Sequence, residues 1–541
     1  MALTSYPRHK VVVVGGGIIG ALESYYAHLD AVKTGTKIRV VVYEKDPSFA
    51  QSTVCHIFPS LTPDEILSVV PRGPELVEKL AILFSQPGGI RIDDVPGVND
   101  SPAALRFKEA VDLYGKDENH DDRTKHLLLL GKMSMDLWQN LYEDADDELK
   151  AIFEESNYNP CRNPKNPDPK ILHDGYRIDL IYDVPEAHNY AETMRATYEP
   201  LGYNQCKILS PDEVIAIDSF LADFCKEHGV IDATGKLHWK NDCSALWRPG
   251  GCISTQVFLP KFYAYLKKIM GTYTDASGEV QDCFSLEYNK EVKAVELDSS
   301  SSIRGLKFGD DSVELDPHTY EDIRYVFCPG ESIGTLSGLG FDEPAYAGFA
   351  GPSLVLNISL SPEQANRFKN FSHCMEVHKV GICLAWQARF KEGRLIIGVA
   401  GTKAFYGDQQ PTIDQVFAKN RNLLHLNMVN EVLPEIISLA CGYSTKGMQF
   451  TPEDLSQLEN KGLLKRWVGR RAVAYDGFPT LGALYCQGRK VANGRCTTHL
   501  GSGGVSFAPA AVQMSRSFEQ TQDAFSNKIL FYADSKRYPI I

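Results

Sequence analysis

The chain has 541 residues, 43% of them hydrophobic and 23% charged, an ordinary globular composition that excludes a disordered or fibrous protein. At roughly 100–200 residues per domain it implies at least two domains and room to bury a large ligand. A formal net charge of −13 argues against a nucleic-acid or anionic-lipid surface, which needs concentrated Lys and Arg.

The first predicted elements form a βαβ unit: a β-branched strand over residues 10–14, a helix over 18–32 and a second strand over 37–43. Arg8 and Lys10 before the valine run resemble the start of a signal peptide. Gly15-Gly16-Gly17 and Glu23 break that pattern, however, and no cleavage site follows. From about 47 to 241 the chain is more polar, with helical stretches over 127–157 and 211–227, as in an inserted domain. Its acidic stretches, 117–122 and 143–148, read as solvated faces or loops. An amphipathic helix is expected over 258–270, then strands over 290–297 and 303–308 joined by the serine run 299–302 as a hairpin. The apolar run 325–328 ends at Pro329-Gly330, as a buried parallel strand does. Strands over 352–360, 380–390 and 395–401 and a helix over 413–433 complete the expected elements.

The 13 cysteines contain no CxxC pair, and the 14 histidines no HExxH, so neither a metal site nor a disulfide framework is expected. Reduced thiols without a secretory signal fit a cytoplasmic protein, and no apolar run is long enough to suggest a transmembrane helix.

Gly15, Gly17 and Gly20 satisfy G-x-G-x-x-G between a strand and a helix that opens with Ile18 and Ile19. The first glycine allows a tight turn, the second lets a diphosphate approach the main chain, and the third lets helix and strand pack closely. Glu44, just past the second strand, can accept hydrogen bonds from a ribose and would repel a 2′-phosphate. This pattern points to a dinucleotide, but by itself it does not choose between FAD and NAD. Ser502 lies in a glycine turn that lacks the G-x-S-x-G elbow, so a hydrolase nucleophile is not expected.

The C-terminal region makes the choice. Trp467, Gly469, Arg471, Asp476, Gly477, Pro479 and Gly482 resemble, in residue and spacing, the W-x-G-x-R-P-x-T-P-D-G-x-P-x-x-G segment of the D-amino-acid dehydrogenase family, with Ala472, Ala474 and Tyr475 departing from it. Downstream, Gly501-Ser502-Gly503-Gly504-Val505-Ser506 is similar to that family's G-T-L-G-W-T turn, whose amides meet the flavin. More loosely, the whole chain resembles the DAO-type flavoproteins, which include glycine and sarcosine oxidases. Arg248-Pro249-Gly250-Gly251 is similar to their re-entry into the FAD domain, and Asn289 to Val292 to their adenine-contacting strand. Cys328-Pro329-Gly330 stands at their A-G-A-W-S turn, and Gly401-Thr402-Lys403-Ala404 at their G-T-A-E, without its acid.

The resemblance implies FAD as cofactor, with Ser52 and Thr53 near the flavin. It also implies either a structural or a covalent flavin role for the pair Cys55 and His56, which resembles part of a T-T-W-H segment. The fold it implies is α/β plus α+β: a doubly wound Rossmann-type FAD-binding domain from residues 1–60, 240–345 and 460–541, and a mixed-sheet substrate domain from 61–239 and 346–459. The implied activity is oxidation of the Cα–H of a D-amino acid or secondary amine to an imine and then a 2-oxo acid, with quinone or oxygen as acceptor. A 2-hydroxy-acid dehydrogenase and a non-catalytic flavin-binding scaffold are the alternatives. Arg471 either grips the substrate carboxylate or closes the flavin site, and Arg470 is the alternative anchor.

Overall fold

The structure is a computed structural model that describes residues 7–49, 60–63, 90–92, 102–115, 120–156, 176–203, 205–217, 221–275, 277–309, 313–315, 320–330, 334–359, 372–379, 382–391, 393–401, 403–407, 450–518 and 524–534, with a few isolated positions besides. Six strands form one sheet: β1 (His9–Val14), β2 (Ile38–Tyr43), β3 (Phe284–Glu287), β4 (Asp322–Phe327), β5 (Thr480–Cys486) and β6 (Arg489–Thr498). Their order is β3-β2-β1-β4-β6-β5; all neighbours are parallel except the β6–β5 hairpin.

The valine-rich sequence of β1 follows from burial on both faces. Val11 and Val13, with Val40 and Val42, pack into a layer of helices: α1 (Ile18–Lys33), α2 (His120–Glu143), α3 (Thr255–Met270) and α4 (Ala508–Ser517). Val12, with Val41, Tyr43, Tyr325 and Phe327, faces the other way, toward Val292, Ile303, Leu306 and Phe308. Those residues belong to a three-stranded antiparallel sheet, Val292–Leu297, Ile303–Phe308 and Val313–Leu315. Among the described residues this sheet covers the face where a doubly wound fold would carry its second helical layer. The expected serine hairpin is there: Ser301 is left-handed (φ +63°) and Asp298 accepts the Ser300 and Ser302 N–H groups at 2.8 and 2.9 Å.

A second sheet has ten strands and mixed pairing. Its long axis is Tyr346–Ser359, paired antiparallel with Arg394–Gly401, Lys403–Gly407 and Leu464–Ala474. Ile382–Lys391, Ser372–Lys379, Tyr176–Ile181, Ser244–Pro249 and Lys207–Leu209 extend it one way, and Ile90–Ile92 the other. Thus Ser244–Pro249 and Leu464–Ala474, at the edges of two sequence segments expected to bind the cofactor, pair in this larger sheet. Asp179 sits buried in it against Arg177 (3.2 Å) and Arg248, the latter also bonded to the Tyr198 hydroxyl.

Two expected helices are broken. The stretch 127–157 divides into α2 and Asp147–Glu155, because Asp146 caps the second helix by accepting the Leu149 N–H at 2.8 Å. The stretch 211–227 divides into Pro211–Ile217 and Ala222–Glu227. Most of the helix expected over 413–433 lies outside the described residues. No helix among the described residues is long and apolar enough to cross a membrane.

Candidate functional site

The three glycines of the first turn are set apart by what surrounds them. Gly15 is at φ +112°, and a Cβ there would lie 2.1 Å from the Cys328 carbonyl oxygen. A Cβ on Gly20 would lie 2.1 Å from the Gly15 carbonyl oxygen. Gly17 differs: it caps α1 with no side-chain hydrogen bond, and a Cβ on it would meet nothing within 4 Å among the described residues. Ile18 and Ile19 are buried behind it, and the first turn carries no acidic side chain. The result is a helix N-terminus with room beside Gly17 among the described residues, and the N–H groups and partial positive charge of such a terminus suit an anion.

Glu44 lies beside this turn, largely buried. Its Oε2 accepts the Gly16 N–H at 2.8 Å and its Oε1 the Asp46 N–H at 3.0 Å. Burial raises its pKa above the usual carboxylate value, and the two N–H donors oppose that rise. The Lys290 N–H donates to the Glu44 carbonyl at 2.9 Å, which brings the Asn289 to Val292 segment to the same edge; Asn289 itself is left-handed (φ +57°). Tyr263 on α3 is buried nearby, with its hydroxyl lacking a hydrogen-bond partner among the described residues. Its ring stacks on Phe49 at 5.3 Å and 7°. The Gly330 turn joins from β4: Gly330 is left-handed (φ +59°), and Cys328 donates its N–H to Val14 at 2.8 Å.

The C-terminal motifs meet one another. Arg471, half-buried, lies on Leu464–Ala474 opposite Phe349, and two residues on Val473 forms a bridge to Leu500. Leu500 opens the 3₁₀ turn Gly501–Gly504, and a Cβ on Gly501 would come 3.3 Å from Val473. Within the turn the Gly503 N–H returns to the Leu500 carbonyl at 3.0 Å, so that amide is already engaged; Val505 beyond it is buried. The main chain of Ser502 is part of this turn. Asp476 is fully buried and accepts from the Phe478 N–H at 3.0 Å and from Arg123 at 3.2 Å. Ser52, Thr53, Cys55 and His56 lie outside the described residues, as do the side chains of Arg470 and Ser502.

Several residues of this site had no distinct signal in the sequence. Gly16 is hidden among three glycines, Cys328 acts through its carbonyl, and Tyr263 reads as one more apolar position of a helix. His499, just before the glycine turn, is left-handed (φ +59°). It lies 2.8 Å from the Thr480 hydroxyl and 3.0 Å from Oε1 of buried Glu343, and stacks on Tyr346 at 5.8 Å. Its position before the turn was the only clue available.

The open Gly17 turn and the positioned carboxylate of Glu44 fit the diphosphate and ribose of a dinucleotide. No protein-family model matches the sequence, and no curated protein matches it. Among solved structures the chain is similar to L-proline dehydrogenase from P. horikoshii, 14% identical over 99% of this chain and 98% of that one, with a TM-score of 0.50. It is similar also to a modified fructosyl peptide oxidase from Aspergillus nidulans, 12% identical over 96% and 93% of the two chains, with a TM-score of 0.51. At these identities the likeness is one of fold: the chain is built as this dehydrogenase and this oxidase are.

Proposed function

We propose that this chain is an FAD-dependent oxidoreductase that oxidises the Cα–H of an amino acid, either a D-amino acid or a secondary amine. The observation that carries the reading is the pairing of the open turn at Gly17 with the buried carboxylate of Glu44, on a fold shared with a dehydrogenase and an oxidase. Gly17, Ile18 and Ile19 would hold the diphosphate through their N–H groups, in a turn shaped by Gly15 and Gly20, and Glu44 would hold the adenosine ribose. The main chain at Val292 would meet adenine, and Gly330 and the Gly501 to Val505 turn the flavin end. FAD held there supplies the two-electron oxidation of the substrate C–H bond, and the imine then hydrolyses to a 2-oxo acid.

The chain's own part is orientation. Arg471 is the proposed carboxylate anchor: a guanidinium can form two parallel hydrogen bonds, which fix the direction of Cα–H as well as affinity. The Val473–Leu500 bridge supports this role, because it ties the strand bearing Arg471 to the glycine turn. Mass spectrometry of the released cofactor tests the first half of the proposal; FMN, or no flavin, would overturn it. Anaerobic bleaching of the yellow protein tests the second half. D-amino acids or N-methyl amino acids are expected to bleach it, and bleaching by 2-hydroxy acids alone would replace the substrate class.

A further inference from the structure

We infer that Ser134 and Trp138 of α2 are positioning residues that aim the Gly501 to Val505 turn at the cofactor, an inference that rests on the FAD reading above. A turn with three glycines in four residues is costly to order, because glycine loses more main-chain freedom on folding than any other residue. Its own main chain supplies part of the order, the Phe507 and Ala508 N–H groups returning to the Gly503 and Val505 carbonyls at 2.8 and 3.2 Å; contacts from other elements supply the rest. At its start, the turn is held by the Val473–Leu500 bridge and by the Gly503 N–H bonded back to Leu500. At its end, two carbonyl groups are gripped by one helix. The Ser134 hydroxyl donates to the Ser506 carbonyl at 2.6 Å, and the Trp138 indole N–H donates to the Val505 carbonyl at 3.1 Å. Both side chains are 0% exposed.

Gly131, Ser134 and Trp138 are spaced three and four apart and so share one face of the helix. At Gly131 that face comes so close that a Cβ would lie 1.9 Å from the Pro63 carbonyl oxygen and 2.8 Å from the Phe507 ring. The Trp138 ring is itself braced edge-on by Phe153 and Phe258, at 6.3 and 6.1 Å. The Thr62 N–H, donating to the Ser506 hydroxyl at 3.3 Å, adds a further tie. These bonds restrain the peptide planes that follow the glycines, and with them the direction in which the turn faces. The inserted helix thus has a task at the site, without touching the reacting atoms.

Full-length Ser134→Ala and Trp138→Phe proteins, stripped of flavin and titrated with FAD, test this. Each is expected to bind FAD about 10-fold more weakly, the worth of one hydrogen bond to a buried group, and to show a displaced visible flavin absorption band. Leu149→Ala supplies the comparison, since Leu149 is buried in the same core on the helix after α2. It is expected to lower Tm at least as much yet leave the FAD affinity within about twofold and the band in place. Unchanged affinity and band in the Ser134 and Trp138 variants, or an equal loss in Leu149→Ala, would overturn the inference and leave the FAD reading standing. Failure of the unaltered protein to take up FAD would overturn the FAD reading and the inference with it.

Discussion

The main-chain N–H of Gly16 donates to Oε2 of Glu44 at 2.8 Å, joining the first turn of the protein to a carboxylate 28 residues later. The bond, with that from the Asp46 N–H, gives a largely buried carboxylate two main-chain donors. Burial, which these bonds only partly offset, makes Glu44 responsive to pH. Burial raises its folded pKa above the unfolded value, so the folded apoprotein holds the proton more tightly than the unfolded chain does. The contribution of Glu44 to apoprotein stability is therefore greatest below the unfolded pKa and is lost as pH rises through the folded one. Glu44→Gln should remove that slope, seen by urea unfolding of the apoprotein between about pH 4 and pH 8. The same variant should weaken FAD binding by about 10–100-fold, the loss of a charged hydrogen-bond acceptor. FAD affinity equal to that of the unaltered protein would remove Glu44 from the site.

The three glycines should separate in their effects. Ala is normally the better helix residue by about 1 kcal/mol, but at Gly20 its methyl would collide with the Gly15 carbonyl. Gly20→Ala should therefore destabilise by about 1–3 kcal/mol. Gly17→Ala should leave apoprotein stability within about 0.5 kcal/mol, since φ is −72° and the space is open, while FAD affinity falls at least about 10-fold. Thermal unfolding and FAD titration of both variants check the contrast.

Glu23 is fully buried on α1, with Arg495 of β6 at 2.6 Å and Arg516 of α4 at 3.5 Å. Removing the carboxylate would strand the Arg495 guanidinium in the core, and breaking such a buried pair from one side costs about 3–5 kcal/mol. Glu23→Ala should show that loss in urea unfolding. A loss below about 1 kcal/mol would mean that Arg495 finds another acceptor or water.

If Arg471 anchors the substrate carboxylate, Arg471→Lys should retain FAD and lower kcat/KM by about 10–100-fold, because lysine keeps the charge but not the two parallel donors. Steady-state kinetics on a carboxylate substrate that bleaches the flavin gives the answer. Loss of FAD from this variant would instead assign Arg471 to closing the cofactor site.

What could be read from the sequence alone was local. The continuous β-branched runs within 10–14 and 37–43 pointed to parallel strands, because a strand buried on both faces carries apolar side chains at successive positions, and the spacing of Gly15, Gly17 and Gly20 specified the turn between strand and helix. The Ser299 to Ser302 hairpin was legible for the same reason, as its polar turn residues sit between two apolar runs. The break at Asp146 was written in the chain as an N-cap followed by acidic residues, yet the longer helical pattern masked it. Tertiary structure decided the rest. Val12 and Val13 are the same residue type in sequence, but the register of β1 between β2 and β4 sends one toward a three-stranded sheet and the other toward the helices. The contact of Gly15 with Cys328, the bridge of Val473 to Leu500 and the grip of Ser134 and Trp138 on the glycine turn join residues far apart along the chain. No local periodicity encodes such pairs; they arise only when sheet register and helix packing bring the main-chain donors and acceptors within hydrogen-bonding reach.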